Sequence, residues 1–429
     1  MDASVSAKAT ANTFEADVRE IVKAKYVRAA VASDAVAGVQ PRLVVEPGSE
    51  QELAKVLKLA DAAGLAVIPR GGGTKLEWGN RPARANVILS MGRLNRVIEH
   101  AWADLTVSVE AGCTIGKLQE TLARHGQRLA LDVLWPERAT VGGVLSTNDS
   151  GALRLRFGSL RDLVIGVTLA LADGTVASSG GRVVKNVAGY DLPKLVTGAL
   201  GTLGVITRAF FRLHPLPKET RTVSCVTTDV REAQRLVTAI QNSKLAHSAL
   251  QICCGGEMQP RIDVLFEGTE AGLTAQMEQV RVIMGASAIP EVGGDVWNAR
   301  QEIWSAGKQG ATEFAAVKFA SLPAQIGEAI ETIAKLSSAK SRWSVVAQAT
   351  GIGWVRLEGA VSAIESALRE FRAELERSRG SLVIARRPVG MAELDAWGNA
   401  GDSLGLMRAV KRQFDPHATL NAGRFVGGI

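Results

Sequence analysis

The stretch that decides the fold reads Arg70-Gly71-Gly72-Gly73-Thr74-Lys75, and it directly follows a short apolar strand pattern over residues 66–69. Three successive glycines let the backbone curl so that N–H groups converge on an anion, and they admit close approach by a pyrophosphate. The dinucleotide pattern G-x-G-x-x-G does not fit, because position 76 is leucine, and no Gly-Lys-Ser/Thr of a Walker loop occurs. Taken alone, the stretch predicts either a phosphate-binding loop or a plain surface loop.

The residues before this loop predict a β-α-β unit. Residues 43–45 and 66–69 have strand patterns, and Ser49 with Glu52 forms a capping box at the start of a helix between them. The apolar residues of that helix recur at helical spacing, and Gly64 is a suitable stop. The glycine loop therefore follows the second strand of an α/β unit.

Two further glycine-rich segments lie downstream. Residues 136–151 carry small hydroxyl and amide side chains beside the pair Gly142-Gly143, which suits a surface against a polar ligand, with a bare turn as the alternative. Residues 181–206 contain Lys-Asn-Val-Ala-Gly-Tyr-Asp-Leu and Gly-Thr-Leu-Gly-Val-Ile. All three glycine-rich segments lie in the first half of the chain.

Composition excludes several classes of protein. With 46% hydrophobic and 22% charged residues, the 429-residue chain is globular and not disordered. Its net charge of +7 is diffuse and aromatics are few, so no nucleic-acid surface is expected. No apolar run reaches the roughly 20 residues of a membrane span, and the polar start predicts no secretory signal. We therefore expect a cytoplasmic protein.

The four cysteines lack iron–sulfur spacing. The vicinal pair Cys253-Cys254 favours buried packing over redox chemistry.

The chain divides into four predicted parts. Residues 1–35 are predicted to be a helical arm, 36–217 a first domain ending at Pro215 and Pro217, 218–390 a second domain, and 391–429 a helix and tail. From residue 222 strands alternate with helices without a glycine loop, which predicts a mixed-sheet α+β domain.

In this order and spacing the three glycine-rich segments resemble the FAD-linked oxidase family, whose FAD domain is of the para-cresol methylhydroxylase and vanillyl-alcohol oxidase type. Within that family the chain looks most like the FAD-binding subunits of bacterial glycolate oxidases, close kin of D-lactate dehydrogenases. The resemblance covers residues 36–217 and the tail 414–424. It implies an α+β protein with a two-subdomain FAD-binding domain, an α+β cap domain, and a C-terminal tail that returns to the FAD domain.

The resemblance also implies how FAD is held. The loop 69–75 would wrap the pyrophosphate, residues 136–151 would line the ribityl chain and flavin ring, and the strand 204–206 would face the adenine end. Some relatives tether FAD through a histidine in the first loop; none occurs here, so FAD is expected to be non-covalent. The implied cofactor residues are Pro69, Arg70, Gly71, Gly72, Gly73, Thr74, Lys75, Pro136, Thr140, Val141, Gly142, Gly143, Ser146, Thr147, Asn148, Gly151, Gly204, Val205, Ile206, Asn421 and Arg424.

One departure from the family concerns catalysis. Relatives that oxidise α-hydroxy acids carry a His-x-Gly-Asp-Gly-Asn-x-His segment with metal-ligating and acid/base histidines. Residues 349–356 match its glycines, but Ala349 and Arg356 replace the histidines and Ile352 replaces the acid. None of the three has a free lone pair for a metal, so no metal is expected. The remaining catalytic candidates are Lys318, Arg300 and Tyr190, with plain surface charge as the alternative for the first two.

The expected function is that of an FAD-dependent oxidoreductase acting on CH–OH groups, as the FAD-binding subunit of a glycolate-oxidase-type complex. It would either oxidise a 2-hydroxy acid to the 2-oxo acid or relay electrons from that reaction through FAD. Its substrate would be a small 2-hydroxy acid, and its partners a sister flavoprotein and an iron–sulfur subunit, which would place it in the cytoplasm or at the inner face of the membrane. Two alternatives stay open: a self-sufficient D-2-hydroxy-acid dehydrogenase without metal, and a non-catalytic FAD-binding scaffold.

Overall fold

The computed structural model of the chain describes residues 13–181, 189–256, 258–285, 288–290, 293–305, 313–337, 341–391 and 394–429. The chain divides into two compact units. Unit 1 comprises Met1–Asp149, Ser159–Pro215 and Asn399–Ile429, and unit 2 comprises Ser150–Gly158 and Leu216–Gly398. Two segments therefore differ from the sequence-based division: residues 150–158 belong to unit 2, and the chain returns to unit 1 at Asn399.

Helices and strands alternate through both units, which gives the α+β class expected from the sequence. The helices are α1 (13–22), α2 (Glu50–Ala62), α3 (Ile115–Ala123), α4 (Val141–Thr147), α5 (Arg154–Phe157), α6 (Leu160–Leu163), α7 (Leu192–Val196), α8 (Val230–Gln241), α9 (Glu270–Met284), α10 (Ala299–Glu302), α11 (Ile326–Ser337), α12 (Val361–Arg377) and α13 (Leu404–Phe414). The strands are β1 (Val27–Ala29), β2 (Leu43–Val45), β3 (Val67–Arg70), β4 (Val87–Ser90), β5 (Val97–Ala101), β6 (Thr106–Glu110), β7 (Gln127–Arg128), β8 (Val164–Ala170), β9 (Val176–Gly180), β10 (Val205–Arg212), β11 (His214–Pro215), β12 (Glu219–Val226), β13 (His247–Gly255), β14 (Met258–Gly268), β15 (Ala288–Pro290), β16 (Phe314–Ala320), β17 (Ser341–Gln348), β18 (Ile352–Gly359) and β19 (Ser381–Arg386).

The first sheet of unit 1 contains the predicted β-α-β unit. Its strand order is β1-β2-β4-β3, and both β2 and β3 run parallel to β4. The Ser49 hydroxyl accepts a hydrogen bond from the Glu52 amide at 3.1 Å, which caps α2 as predicted. Strand β4 lies between β2 and β3, the two strands that α2 connects along the chain.

Residues 13–29, which the sequence assigns to an arm, pack into this unit. Phe14, Val18 and Val22 of α1 are buried in its core. Strand β1 pairs antiparallel with β2 and so forms one edge of the sheet. The helical spacing of three large apolar residues accounts for this packing, because a helix with such a stripe must bury it.

The second sheet of unit 1 is antiparallel, with strand order β5-β6-β10-β8-β9. A turn at Asp173-Gly174 joins β8 to β9, and Gly174 has a φ of 85° that glycine adopts without strain. Helix α4 packs between these strands and the glycine loop of the first sheet, since Val141, Val144 and Leu145 are buried in the shared core.

The C-terminal tail returns to the first sheet of unit 1. Leu420 forms a parallel bridge with Val67 of β3, and the Val67 amide donates to the Thr419 carbonyl at 2.7 Å. The buried Lys411 ammonium donates to the carbonyls of Thr202 at 2.7 Å and Leu420 at 3.0 Å, and it pairs with Asp415. The tail is therefore held beside the strand that leads into the glycine loop.

Unit 2 is built on an eight-stranded sheet of order β15-β12-β14-β13-β17-β18-β16-β19, and its strand pairs are antiparallel. The sequence predicts a mixed sheet, because strands alternate with helices. The difference arises because each strand-helix-strand connection leaves a gap that a third strand fills: β14 lies between β12 and β13, and β18 lies between β16 and β17. The helix-linked strands are therefore not neighbours, and each is instead paired antiparallel with the strand inserted between them.

The four cysteines are buried and free. Cys253 and Cys254 are successive residues of β13, so their side chains point to opposite faces of the sheet. Cys254 lies in the hydrophobic core of unit 2, where burial raises its pKa to about 12, whereas the Cys253 thiol faces Asp263. Both side chains are packing elements, as the sequence favours. In the described part of the chain, none of the helices has the length and apolarity of a membrane span.

We expect Lys411→Met to destabilise unit 1 by about 3–5 kcal/mol, because it leaves the Asp415 carboxylate buried without its cation. The measurement is urea unfolding followed by circular dichroism. The matched control is Lys194→Met, which removes an exposed ion pair with Asp191 in the same unit and should cost less than about 1 kcal/mol. Equal losses for the two variants would contradict the role given to Lys411.

Candidate cofactor site

The glycine loop after β3 lies directly against the segment that precedes α4. A Cβ atom on Gly71 would collide with the Thr140 side chain, and one on Gly72 would collide with the Arg138 carbonyl oxygen. Gly73 has a φ of 71°, a left-handed value that favours glycine. Close packing of two main-chain segments therefore requires the first two glycines, and backbone conformation requires the third.

The second glycine pair shapes the opposite wall. Thr140 caps α4, its hydroxyl accepting from the Gly143 amide at 3.4 Å. A Cβ on Gly142 would lie 2.9 Å from the Ala111 Cβ atom, so the helix start packs tightly on the end of β6. These contacts bring the first two glycine-rich segments to one place.

The C-terminal tail forms a third wall. The Asn421 side-chain amide donates to the Leu200 carbonyl, while its buried carbonyl oxygen Oδ1 has no hydrogen-bond partner within the protein. The Arg424 guanidinium is fully buried and donates to the carbonyls of Leu76 and Trp78. Burial lowers the pKa of Arg424 to about 10. A buried acceptor and a buried cation thus line the same space.

These walls enclose a cleft in unit 1 with about 720 Å³ of space between protein atoms, part of it open to solvent. Most of the cofactor residues that the sequence implies line this cleft, together with five residues that it misses. The predicted lining residues are Pro69, Arg70, Gly71, Gly72, Gly73, Thr74, Lys75, Thr140, Gly142, Gly143, Ser146, Thr147, Gly204, Val205, Ile206, Asn421 and Arg424, and the missed ones are Leu76, Met91, Ala111, Leu200 and Gly201.

Four predicted residues do not line the cleft. Val141 is buried in the core beneath it, and Pro136 accepts a hydrogen bond from the Gly116 amide through its carbonyl. Asn148 ends α4, and Gly151 belongs to unit 2. The Lys-Asn-Val-Ala part of the third motif, residues 185–188, lies outside the described residues.

Left-handed backbone conformations cluster around the cleft. Leu200, Asn421, Asn148 and Trp135 have φ values of 49°, 46°, 47° and 53°. Such values are uncommon for residues with a side chain and cost roughly 1–2 kcal/mol each. Leu200 and Asn421 are moreover joined by a hydrogen bond, so strain is concentrated where the tail meets the third segment.

A buried ion pair lies at one end of the cleft. The Lys75 ammonium is 3.2 Å from the Asp149 carboxylate, and both side chains are almost fully buried. The same ammonium lies 5.8 Å from the Trp78 ring centroid and 5.7 Å from that of Trp135. Aromatic rings stabilise a desolvated cation, so the positive charge of Lys75 is fixed in place.

The catalytic candidates occupy different surroundings. Tyr190, in unit 1, is 90% exposed and is not among the residues that line the cleft. Arg300, in unit 2, is buried and donates to the Ser150 carbonyl at 3.1 Å. Lys318 lies on β16 of unit 2, opposite Trp354 of β18.

The segment in place of the family's histidine motif is tightly packed. Ala349 is buried, and Arg356 donates to the carbonyls of Ile303 at 2.7 Å and Ser305 at 2.6 Å. The Arg356 guanidinium also pairs with Glu358 and lies 3.7 Å from the Phe314 ring centroid. Within the described ranges, no three His, Cys, Asp or Glu side chains are grouped so that they could hold a metal ion.

Comparison with known proteins identifies the first unit. Residues 41–180 match a family described as an FAD binding domain. The chain is 29% identical over 243 residues to the glycolate oxidase subunit GlcD of Bacillus subtilis, covering 57% of this chain and 51% of that protein. It is 31% identical over 287 residues to a mitochondrial D-lactate dehydrogenase (cytochrome) of Arabidopsis thaliana, covering 62% and 50%. These matches span about half the length of the two relatives.

Longer matches exist at lower identity. A D-2-hydroxyglutarate dehydrogenase of Xanthomonas citri is 26% identical over 426 residues, covering 90% of this chain and 89% of that protein. The crystal structure of p-cresol methylhydroxylase with substrate bound superposes with a TM-score of 0.77 at 14% identity, covering 97% and 96%. At 14% identity, the similarity to p-cresol methylhydroxylase shows a shared fold only.

The fold, the glycine cleft and these matches define an FAD-binding oxidoreductase domain. Residues 41–180 are an FAD-binding domain similar to those of FAD-linked oxidoreductases, and the cofactor is FAD. The cleft residues fit this group: the glycines leave room for a close ligand, Arg70 and Arg424 supply positive charge, and Asn421 Oδ1 is a buried acceptor without a protein partner.

We expect Gly72→Ala to raise the FAD dissociation constant about tenfold or more, because its Cβ would push the loop away from Arg138 at a cost of about 1–3 kcal/mol. The measurement is flavin fluorescence during titration of the apoprotein. The matched control is Gly380→Ala in unit 2, where a Cβ would lie 2.5 Å from the Ala320 carbonyl oxygen. FAD affinity should be unchanged in the control, and an unchanged affinity in Gly72→Ala would show that FAD binds elsewhere.

Proposed function

We propose that the protein is an FAD-dependent oxidoreductase that oxidises a small 2-hydroxy acid to the 2-oxo acid as the FAD-binding subunit of a glycolate-oxidase-type complex. The observation that carries this proposal is the cleft of unit 1, which belongs to an FAD-binding domain whose relatives are named for glycolate, D-lactate and D-2-hydroxyglutarate. The shared chemistry of those three substrates is a hydroxyl group next to a carboxylate.

Different segments of the chain would bind different parts of FAD. The main-chain N–H groups of 70–75 would bind the pyrophosphate, the wall formed by residues 140–147 would face the ribityl chain and flavin ring, and 204–206 would face the adenine end. Bound FAD supplies the two-electron oxidation, while the protein supplies position and electrostatics. The buried guanidinium of Arg424 would supply positive charge to the cleft, whereas the charge of Lys75 is balanced by the Asp149 carboxylate.

Residues 349–356, which the resemblance aligns with the histidine motif of hydroxy-acid-oxidising relatives, contain no histidine. Oxidation of a hydroxy acid needs a group that takes the hydroxyl proton, and such help contributes typically about 10²–10⁴-fold. Arg356 is engaged with two main-chain carbonyls and Glu358, and Ala349 has no polar group, so neither can serve. Lys318 is our candidate for binding the substrate carboxylate. Arg300, held by Ser150, and the exposed Tyr190 are weaker candidates.

We expect slow turnover by the isolated chain, because residues 349–356 supply no histidine to take the hydroxyl proton. We therefore propose that it works beside a histidine-bearing sister flavoprotein and an iron–sulfur protein that carries the electrons onward. A second candidate is a self-sufficient D-2-hydroxy-acid dehydrogenase without metal. The observation that favours it is the match to the D-2-hydroxyglutarate dehydrogenase over 90% of this chain and 89% of that protein.

Non-covalent binding of FAD is the first prediction of this proposal. The loop 70–75 contains no histidine to which a flavin could be attached. Acid precipitation of the holoprotein should therefore leave the yellow colour in the supernatant, with one FAD per chain by absorbance. Flavin that remains with the precipitated polypeptide would contradict the prediction.

Anaerobic mixing with excess glycolate, D-lactate or D-2-hydroxyglutarate tests the reaction. We expect the flavin absorbance of the isolated chain to fade at least about 100-fold more slowly than that of the reconstituted complex, because the acid/base group is missing. Dithionite provides the control, since it should bleach the flavin at once in both samples. Fast bleaching of the isolated chain would favour the self-sufficient dehydrogenase, and no bleaching in either sample would contradict hydroxy-acid oxidation.

A further inference from the structure

A buried carboxylate outside the glycine segments contacts the first residue of the glycine loop. Asp34, in the turn after β1, accepts hydrogen bonds from Arg70 Nη1 at 2.7 Å and from the Val31 amide at 2.9 Å. Arg28 adds a two-point contact, with Nη1 at 2.7 Å and Nη2 at 2.9 Å. The side chain of Asp34 is only 4% exposed. One carboxylate thus binds two guanidinium groups.

The two arginines differ in their exposure. The Arg28 side chain is 48% exposed, so water screens its charge, whereas the Arg70 side chain is 17% exposed and lines the cleft. The hydrogen bonds from Arg28 hold the pKa of Asp34 well below its ordinary value, so the carboxylate stays charged. The cluster carries two positive charges and one negative charge, and the net positive charge lies beside the cleft.

Arg70 is also fixed through its main chain. It is the last residue of β3, paired in register with Ser90, and its carbonyl accepts from the Met91 amide at 2.8 Å. An arginine side chain that is free to rotate loses conformational entropy when a ligand orders it. The contact with Asp34 orders the guanidinium before any ligand arrives.

We propose that Asp34 is a positioning residue that holds the Arg70 guanidinium at the cleft, where it binds the diphosphate of FAD. This inference rests on the placement of FAD in the cleft of unit 1. A guanidinium matches phosphate oxygens in charge and planar geometry, and Asp34 leaves part of its donor edge unoccupied by that carboxylate. The N-terminal segment, which the sequence assigns to an arm, would then take part in cofactor binding.

A double-mutant cycle tests whether Asp34 acts through Arg70. The FAD dissociation constant of each apoprotein is measured by flavin fluorescence for wild type, Asp34→Asn, Arg70→Met and the double variant, with no hydroxy acid present. We expect each single variant to bind FAD about tenfold more weakly. The double variant should bind no more weakly than Arg70→Met, because Asp34 has no role once the guanidinium is gone.

Two further variants separate positioning from general stability. Arg28→Met keeps the contact between Asp34 and Arg70, so FAD affinity should fall less than threefold. Glu110→Gln removes another buried carboxylate of unit 1 that pairs with an arginine, Arg96, and FAD affinity should stay within twofold of wild type. A thermal melt of each apoprotein reports the loss of stability separately from the loss of affinity.

Multiplicative effects of the two single variants would overturn the inference, and so would wild-type affinity in Arg70→Met. Should Asp34→Asn fail to fold, Arg70→Met and Arg70→Lys decide alone: a lysine keeps the charge but cannot bind both Asp34 and a phosphate with a planar fork, so it should not restore full affinity. Because only FAD affinity is measured, a failure here is distinct from a failure of hydroxy-acid oxidation.

Discussion

Buried cations bound to main-chain carbonyls hold the cofactor cleft together. Arg424 donates to Leu76 and Trp78, and Lys411 donates to Thr202 and Leu420. A buried charge without partners is strongly unfavourable, so each cation holds in place the segments whose carbonyls accept its hydrogen bonds. The C-terminal tail thereby becomes a wall of a cleft whose other walls come from the first half of the chain. Removing the tail would expose β3 and the glycine loop together.

The backbone around the cleft is restricted to few conformations. The segments around Gly72 and Arg138 touch without room for a side chain, and Leu200 and Asn421 hold left-handed conformations that the hydrogen bond between them maintains. Strain of this kind persists only where surrounding contacts over-determine it. A preorganised cleft binds a long, flexible dinucleotide at a lower entropic cost than a loose loop would.

In unit 2, the segment that the resemblance aligns with the family's histidine motif is part of the packed sheet. That sheet repeats one arrangement twice, a strand-helix-strand connection with a third strand inserted. Arg356 now ties that segment to residues 303–305 through main-chain carbonyls. Arg356 thus contributes to packing, and we therefore propose that a partner protein supplies the group that takes the hydroxyl proton.

The local sequence determined the helix capped by Ser49, because a cap acts over a few residues. FAD and most residues that line the cleft followed from the resemblance of the three glycine-rich segments to FAD-linked oxidases. Only the tertiary structure decided that Gly72 meets the Arg138 carbonyl, that Asp34 meets Arg70 from 36 positions away, and that the strands of unit 2 are antiparallel. It also placed α1 in the core and Gly151 in unit 2. These features depend on contacts between distant segments, and no local pattern records which distant carbonyl or carboxylate a residue will meet.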